Sequence, residues 1–248
     1  MDARNHYESV YKNGVGYKYK TNTRYQRYLV KKLVKKMDVN NVFSVCDIGC
    51  GEGLNTVLFL EDFPNANVLG IDLSDAGIKY AKAHFGDEER LKFLCGNILD
   101  FDLDSNKFEV VTAFEVLEHI EDWKCLAKAM TVASKKYIIV SSPVGKMRAY
   151  EKKHGHYRNF KKGELEQFFK ENGFSCIACF YAGFPFWSPI TRDLLNLVPG
   201  DATKAQENMT VFGKCISVIL YYLFCFFSTK RFLGDQFVGL FMKDDMAK

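Results

Sequence analysis

One stretch constrains this chain more than any other: Val45-Cys46-Asp47-Ile48-Gly49-Cys50-Gly51-Glu52-Gly53. Phe43 to Ile48 is short, apolar and β-prone, and reads as a buried strand. Glycines at alternate positions break it, and Leu54 to Leu60 resumes as an apolar, helix-compatible run. The pattern is strand, glycine turn, helix. Glycine lets backbone approach a ligand with no Cβ in the way, and the helix N-terminus that follows offers free N–H groups. A dinucleotide fingerprint, G-x-G-x-x-G, needs glycine at position 54, where this chain has Leu54, so hydride transfer with a nicotinamide fails there. A phosphate loop needs Gly-Lys-Ser/Thr, which is absent.

Further segments repeat the pattern of a strand ending at a polar turn. Val68 to Ile71 reads as a second strand, and Asp72 ends it about twenty residues past the glycines. That separation places an acid of a neighbouring strand where it can accept from ribose hydroxyls. The plain alternative for Asp72 is an N-cap of the helix Asp75 to Phe85, a job Ser74 suits better. Leu91 to Cys95 is a third strand, followed by Gly96, Asn97 and Ile98; on its own this is an ordinary turn. Phe108 to Phe114 is a fourth, leaving through Glu115-Val116-Leu117-Glu118-His119-Ile120 toward a helix over Trp123 to Ala133.

Positions 45 to 120 resemble, in order, the motifs of class I S-adenosylmethionine (SAM) methyltransferases. The D-x-G-x-G-x-G order of Asp47, Gly49, Gly51 and Gly53 is similar to their first motif. The E-V-L-E-H-I string resembles the segment after the fourth strand in ubiquinone-type O-methyltransferases and in small-RNA 2′-O-methyltransferases. SAM is a zwitterion without phosphate, which suits a glycine turn with an acid beside it. The resemblance implies a cofactor-binding set of Asp47, Gly49, Gly51, Gly53, Asp72, Leu73, Asn97, Ile98, Phe114 and Glu115. Within it Asp72 takes the ribose, Asn97 reads the adenine amino group, and Ile98 packs on the adenine face.

For a hydroxyl acceptor the chemistry needs a proton removed, and imidazole does this near neutral pH. His119 is the first candidate base, with His154 and His156 behind it. Glu115, Glu118 and His119 stand at i, i+3 and i+4, one face of a helical turn. The resemblance to metal-dependent relatives implies a divalent ion on that trio, with His154 or His156 as a further ligand. The metal-free reading is preferred.

Lys146 to Lys162 holds nine basic or histidine residues against Glu151 alone, at the sheet edge where open α/β folds bind ligands. Two readings stay open: attraction of an anionic, sugar- or quinone-like acceptor, or a solvated charge run. The basic positions of Thr23 to Met37 read as the solvated face of an amphipathic helix. By the resemblance, that helix and the arm before it fold over the cofactor, with Tyr7, Tyr11, Tyr17 and Tyr19 as lid contacts. An overall charge of +4 is too small to demand nucleic acid, so a small-molecule or carrier-linked acceptor is expected; RNA 2′-O-, N- or C-methylation and a non-catalytic SAM-binding protein are the alternatives.

The eight cysteines scatter through apolar runs, which suits buried thiols in a reducing compartment. With no apolar signal region in Met1 to Tyr11, a cytoplasmic location is expected. Cys215 to Ser228 is almost wholly apolar and too short for a span of about twenty residues. It reads as a buried or capping helix, with contact to the inner face of a membrane or a homodimer patch as alternatives. The expected fold is one doubly wound α/β domain over 1–248. Its seven-stranded sheet is mostly parallel with an antiparallel last strand. The parts are an N-terminal lid (1–40), a SAM-binding core (41–182), a helical cap (183–232), and the last strand and tail (233–248).

Overall fold

The computed structural model describes residues 20–101, 107–197 and 210–246. The four lid tyrosines expected above lie outside the described residues. A helix, α1 (Thr21–Val34), precedes the sheet. Then follow β1 (Ser44–Ile48), α2 (Leu54–Asp62), β2 (Asn67–Asp72), α3 (Asp75–Phe85) and β3 (Leu91–Cys95). The second half runs β4 (Phe108–Phe114), α4 (Trp123–Ala133), β5 (Ser134–Pro143), α5 (Ala149–Lys153), α6 (Glu164–Glu171) and β6 (Phe174–Ala182). It closes with α7 (Arg192–Leu197), α8 (Val211–Phe227) and β7 (Gln236–Lys243).

The strand order is β3-β2-β1-β4-β5-β7-β6. The strands β1 to β5 pair in parallel, while β7 runs antiparallel to both β5 and β6. The sheet therefore reverses its winding between β1 and β4, and open α/β sheets bind ligands at that point.

Both faces of the sheet are covered, so the central strands are apolar on alternate sides. Val110 of β4 and Ile139 of β5 pack with Leu29, Phe59, Ile78 and Phe224. Val111, Ile138 and Val140 pack with Trp123, Leu126, Met130 and Phe169 on the other face. At about 25 cal/mol per Å² of apolar surface, these layers are the main stabilising term.

The helix α1 buries Tyr25, Leu29 and Leu33 at four-residue spacing, as the sequence pattern requires. Its basic residues are not all solvated: Arg27 is buried and paired with Asp62 of α2, fastening one helix to the other. Ser74 caps α3, accepting from the Gly77 N–H at 3.2 Å. The expectation of buried thiols holds for Cys46, Cys50 and Cys225, whereas Cys95, Cys125 and Cys215 are exposed. No described helix is long and apolar enough to cross a membrane.

Thr210 caps α8 by accepting from the Gly213 N–H at 3.1 Å. The helix lies on α1, where the Tyr25 and Phe224 rings meet edge to face at 5.6 Å. Thr21 and Ser217 share a hydroxyl contact of 3.0 Å. It is a cap, not a buried helix: Phe224 and Cys225 face inward, while much of its apolar surface faces out.

Candidate functional site

Because β1 and β4 are neighbours, the turns leaving their carboxyl ends lie side by side. Gly49 has φ +70°, and a Cβ there would collide with Val116 of the turn after β4. Only glycine both reaches that conformation cheaply and lets the two turns approach. The Gly49 and Cys50 N–H groups donate to the Ile71 carbonyl at 2.8 and 3.1 Å, binding the turn to the end of β2. The Asp72 carboxylate accepts from the Gly51 N–H and the Ser74 N–H, each at 2.8 Å. Two backbone donors fix its direction.

A cavity of about 770 Å³ opens at this switch point. Gly49, Gly51, Asp72 and Leu73 line one part of it, and Asn97 and Ile98 a second. Asn97 Oδ1 accepts from the Leu99 N–H at 3.1 Å, which holds the side chain at the turn after β3. Phe114, Glu115 and His119 line the part beyond. A glycine cradle with no room for Cβ, a fixed carboxylate and a carboxamide over an apolar Ile98 fit a nucleoside carrying a compact charged tail.

Two members of the expected cofactor set do not face this cavity. Asp47 is buried beneath it, its Oδ2 accepting from Thr56 Oγ1 and its Oδ1 from Thr112 Oγ1, both at 2.7 Å. Burial pushes its carboxyl up to about 6, against the two threonine hydrogen bonds and Arg27. Asp47 thus joins β1 to α2 and β4. Gly53 begins α2 at φ +78°, and a Cβ there would lie 2.7 Å from the Phe93 ring. It is required by packing.

The structure also divides the expected metal trio. Glu115 has φ +55° and stands before the short 3-10 turn Leu117–His119, so the three residues do not share a helical face. Glu115 Oε1 accepts from Gln26 Nε2 at 2.8 Å, Ser141 Oγ at 3.0 Å and Gln236 Nε2 at 3.0 Å. Burial raises its pKa, and these hydrogen bonds work against the rise. Glu118 is fully buried. Its Oε2 accepts from Ser142 Oγ at 2.9 Å, while its Oε1 has no hydrogen-bond partner among the described residues. Burial, then the nearby Glu115, raise its pKa well above the ordinary carboxyl value.

His156 replaces Glu115 in the cluster. Ligand atoms of Glu118, His119 and His156 all lie within 4.8 Å of one another. The His119 and His156 rings meet edge to face with centroids 4.4 Å apart. Burial lowers the His156 pKa to about 4, so its ring is neutral near pH 7. One carboxyl and two imidazoles can share a proton or hold a divalent cation. His154 lines the same part of the cavity.

The basic run 146–162 does not furnish a cationic rim. Arg148 Nε donates to Asp193 at 2.6 Å, and Arg158 donates to the Glu121 carbonyl. From this run Tyr150, Glu151, His154 and His156 line the cavity, and its lysines and arginines do not. The guanidinium that does reach the cavity is Arg192. It is buried and paired with Glu151, and its Nε donates to the Tyr150 hydroxyl at 3.4 Å.

Several lining residues carry no sequence signal. Gln26, Gln236 and Arg192 belong to none of the motifs of the sequence. Ile216, Leu220 and Phe224 of α8 form an apolar wall together with Trp187. Their periodicity marks a helix but not the cavity it covers.

Residues 45–136 match the family model described as a methyltransferase domain. Over 102 residues the chain is 30% identical to malonyl-[acyl-carrier protein] O-methyltransferase 2 of Ilyobacter polytropus, covering 41% of this chain and 39% of that protein. Over 93 residues it is 37% identical to a ubiquinone biosynthesis O-methyltransferase of Idiomarina loihiensis, covering 37% of each. The aligned part thus spans under two fifths of the length of these curated relatives. A solved complex between the Haloferax volcanii Trm112 methyltransferase activator and a methyltransferase shares the fold, with a TM-score of 0.63. Its identity is 16%, over 96% of this chain and 97% of that one. The matched residues hold the glycine turn, Asp72 and Asn97. Gln26, Tyr150, Arg192 and the α8 wall lie outside them.

Proposed function

We propose that the chain is a class I SAM-dependent methyltransferase, as the methyltransferase-domain match over residues 45–136 supports, and that it methylates an oxygen of a small or carrier-linked acceptor, with His119 taking the acceptor's proton. One observation carries this reading: a single cavity joins the glycine turn and Asp72 to His119, His154 and His156. The names of the curated relatives, both O-methyltransferases, support oxygen as the accepting atom.

Bound in the cavity, SAM would supply a methyl group activated by its sulfonium. Gly49 and Gly51 would hold its tail, Asp72 its ribose hydroxyls, and Asn97 with Ile98 its base. The protein's contribution is alignment and proton removal. His119 is the base nearest the turn after β4. His156, kept neutral by burial, packs on its ring, and the Glu118 carboxyl stands beside both. Glu115, gripped by three donors, fixes the backbone from which this turn departs. Ile216, Leu220, Phe224 and Trp187 would exclude water from the acceptor end and favour an acceptor with an apolar body.

The Glu118–His119–His156 cluster favours one second reading, in which these residues hold a divalent cation that binds and acidifies the acceptor hydroxyl. Purified protein incubated with SAM and a panel of phenols, carboxylates and acyl-carrier conjugates decides the matter by mass spectrometry. A gain of one methyl on an oxygen supports the reading. Methyl gain only on nitrogen or carbon, or SAM binding without any product, overturns it. Abolition of turnover by a chelator, with rescue by one metal, selects the cation reading.

A further inference from the structure

The helix α8 is apolar on two sides. Its inner side supplies Ile216, Leu220 and Phe224 to the cavity, so burial there is already explained. Its outer side leaves Phe212 75%, Ile219 66% and Phe226 72% exposed. Phe227 and Val211 are likewise exposed, and the loop after the helix adds Phe232 and Leu233. Single exposed apolar residues are ordinary, but a contiguous set on one helix and the loop beside it marks a surface that is covered in use.

Within α8 and the loop that follows it, the charge has one sign. From Thr210 to Gly234 the sequence holds Lys214, Lys230 and Arg231 and no acidic residue. The α1 helix adds to this rim. Lys32 and Lys230 both stand over the Tyr28 ring, at 5.0 and 5.5 Å from its centroid. Lys36, Arg231 and Phe232 line one shallow cleft. Aromatic side chains ringed by cations match a layer that is apolar within and negative at its surface. In a symmetric contact between two copies the same cationic rim would face itself, and like charges in contact are unfavourable.

We propose that α8 and the 229–233 loop dock on an anionic lipid surface. Phe212, Ile219, Phe226 and Phe232 would enter the headgroup boundary, and Lys230 with Arg231 would meet lipid phosphates. At 17 residues the helix lies in that boundary and does not cross it. This proposal stands apart from the methyl-transfer reading, because none of the four inserted side chains lines the cavity.

The test is co-sedimentation of the full-length protein with vesicles of phosphatidylcholine alone, and of phosphatidylcholine mixed with phosphatidylglycerol. The protein should pellet with the mixed vesicles, stay in solution with the neutral ones, and bind less as salt is raised. The double variant Phe212→Glu/Phe226→Glu should partition at least about tenfold less. Lys230→Glu/Arg231→Glu, which leaves the aromatic set intact, should lose the preference for anionic vesicles. SAM affinity by calorimetry should be unchanged in both, which separates failure of docking from failure of the cofactor assignment. No pelleting with the mixed vesicles overturns the proposal. So does equal pelleting by either folded variant, or a dimer in light scattering that Phe212→Glu/Phe226→Glu breaks while wild type ignores lipid.

Discussion

Gln26 Nε2, on the helix that precedes the sheet, donates to Glu115 Oε1 at 2.8 Å across 89 residues of sequence. The same nitrogen donates to Ser141 Oγ at 2.7 Å. One carboxamide therefore ties α1 to the carboxyl ends of β4 and β5, and α1 forms a wall of the cavity because of it.

Removing that donor leaves a buried carboxyl short of a partner, which costs about 1–3 kcal/mol. Gln26→Ala should lower the thermal midpoint. Gln26→Glu should lower it further at neutral pH, because a second carboxylate would face Glu115. Equal midpoints for wild type and Gln26→Glu would mean that the contact does not hold α1 in place.

The two strand-end acids should behave oppositely toward the cofactor. Asp72→Ala should weaken SAM binding by at least tenfold, since charge-assisted hydrogen bonds to hydroxyls are worth about 1.5–3 kcal/mol each. Asp47→Asn should bind SAM with wild-type affinity, because Asp47 touches Thr56 and Thr112 and not the cavity. Calorimetry on both folded variants checks this, and a large loss of affinity in Asp47→Asn would return Asp47 to the cofactor site.

The same residue predicts a pH effect. Its folded pKa of about 6 stands above its ordinary 3.8. Between those values the native state binds more protons than the unfolded state, so stability falls as pH rises from about 4 to about 6. For His156 the sign reverses. Its folded pKa of about 4 stands below 6.5, so the unfolded state binds more protons and stability falls as pH drops from about 6.5 to about 4. The two contributions offset each other in wild type. Relative to wild type, Asp47→Asn should lose more stability on acidification and His156→Gln less, each by roughly 1–3 kcal/mol across the window. Urea midpoints at pH 4.5 and 7 measure both. Parallel profiles for the two variants would contradict the burial assigned to these groups.

The proposed base is tested by turnover. His119→Ala should cut kcat by roughly 10²–10⁴ with SAM affinity nearly kept. If the cluster works through protons, wild type should be indifferent to chelator, and Glu118→Gln should be milder than His119→Ala. If it holds a cation, the two variants should be equally damaged. Near-normal kcat in a folded His119→Ala protein would shift the role to His154 or His156.

The sequence by itself determined the strand order along the chain, the glycine turn, the Ser74 cap and the helix after Glu115–Ile120. These depend on residues within a turn or two of each other, so spacing and residue type are enough to specify them. It also singled out Asp72, by its separation from the glycines and by the resemblance. Asp47, one residue before the end of β1, carries the same chemistry in the same motif. Only the packing of α2 and β4, which brings Thr56 and Thr112 against it, decided that it points into the core. Likewise His119 and His156 lie 37 positions apart, and no local rule joins them; β5 and α5 fold the second turn back onto the first. The outer face of α8 is the same case. Its composition says that the helix must be covered, and the position of α1 decides which side is covered from within and which is left bare. Side-chain direction at a shared edge depends on which elements meet there, and that is fixed only when distant strands pair.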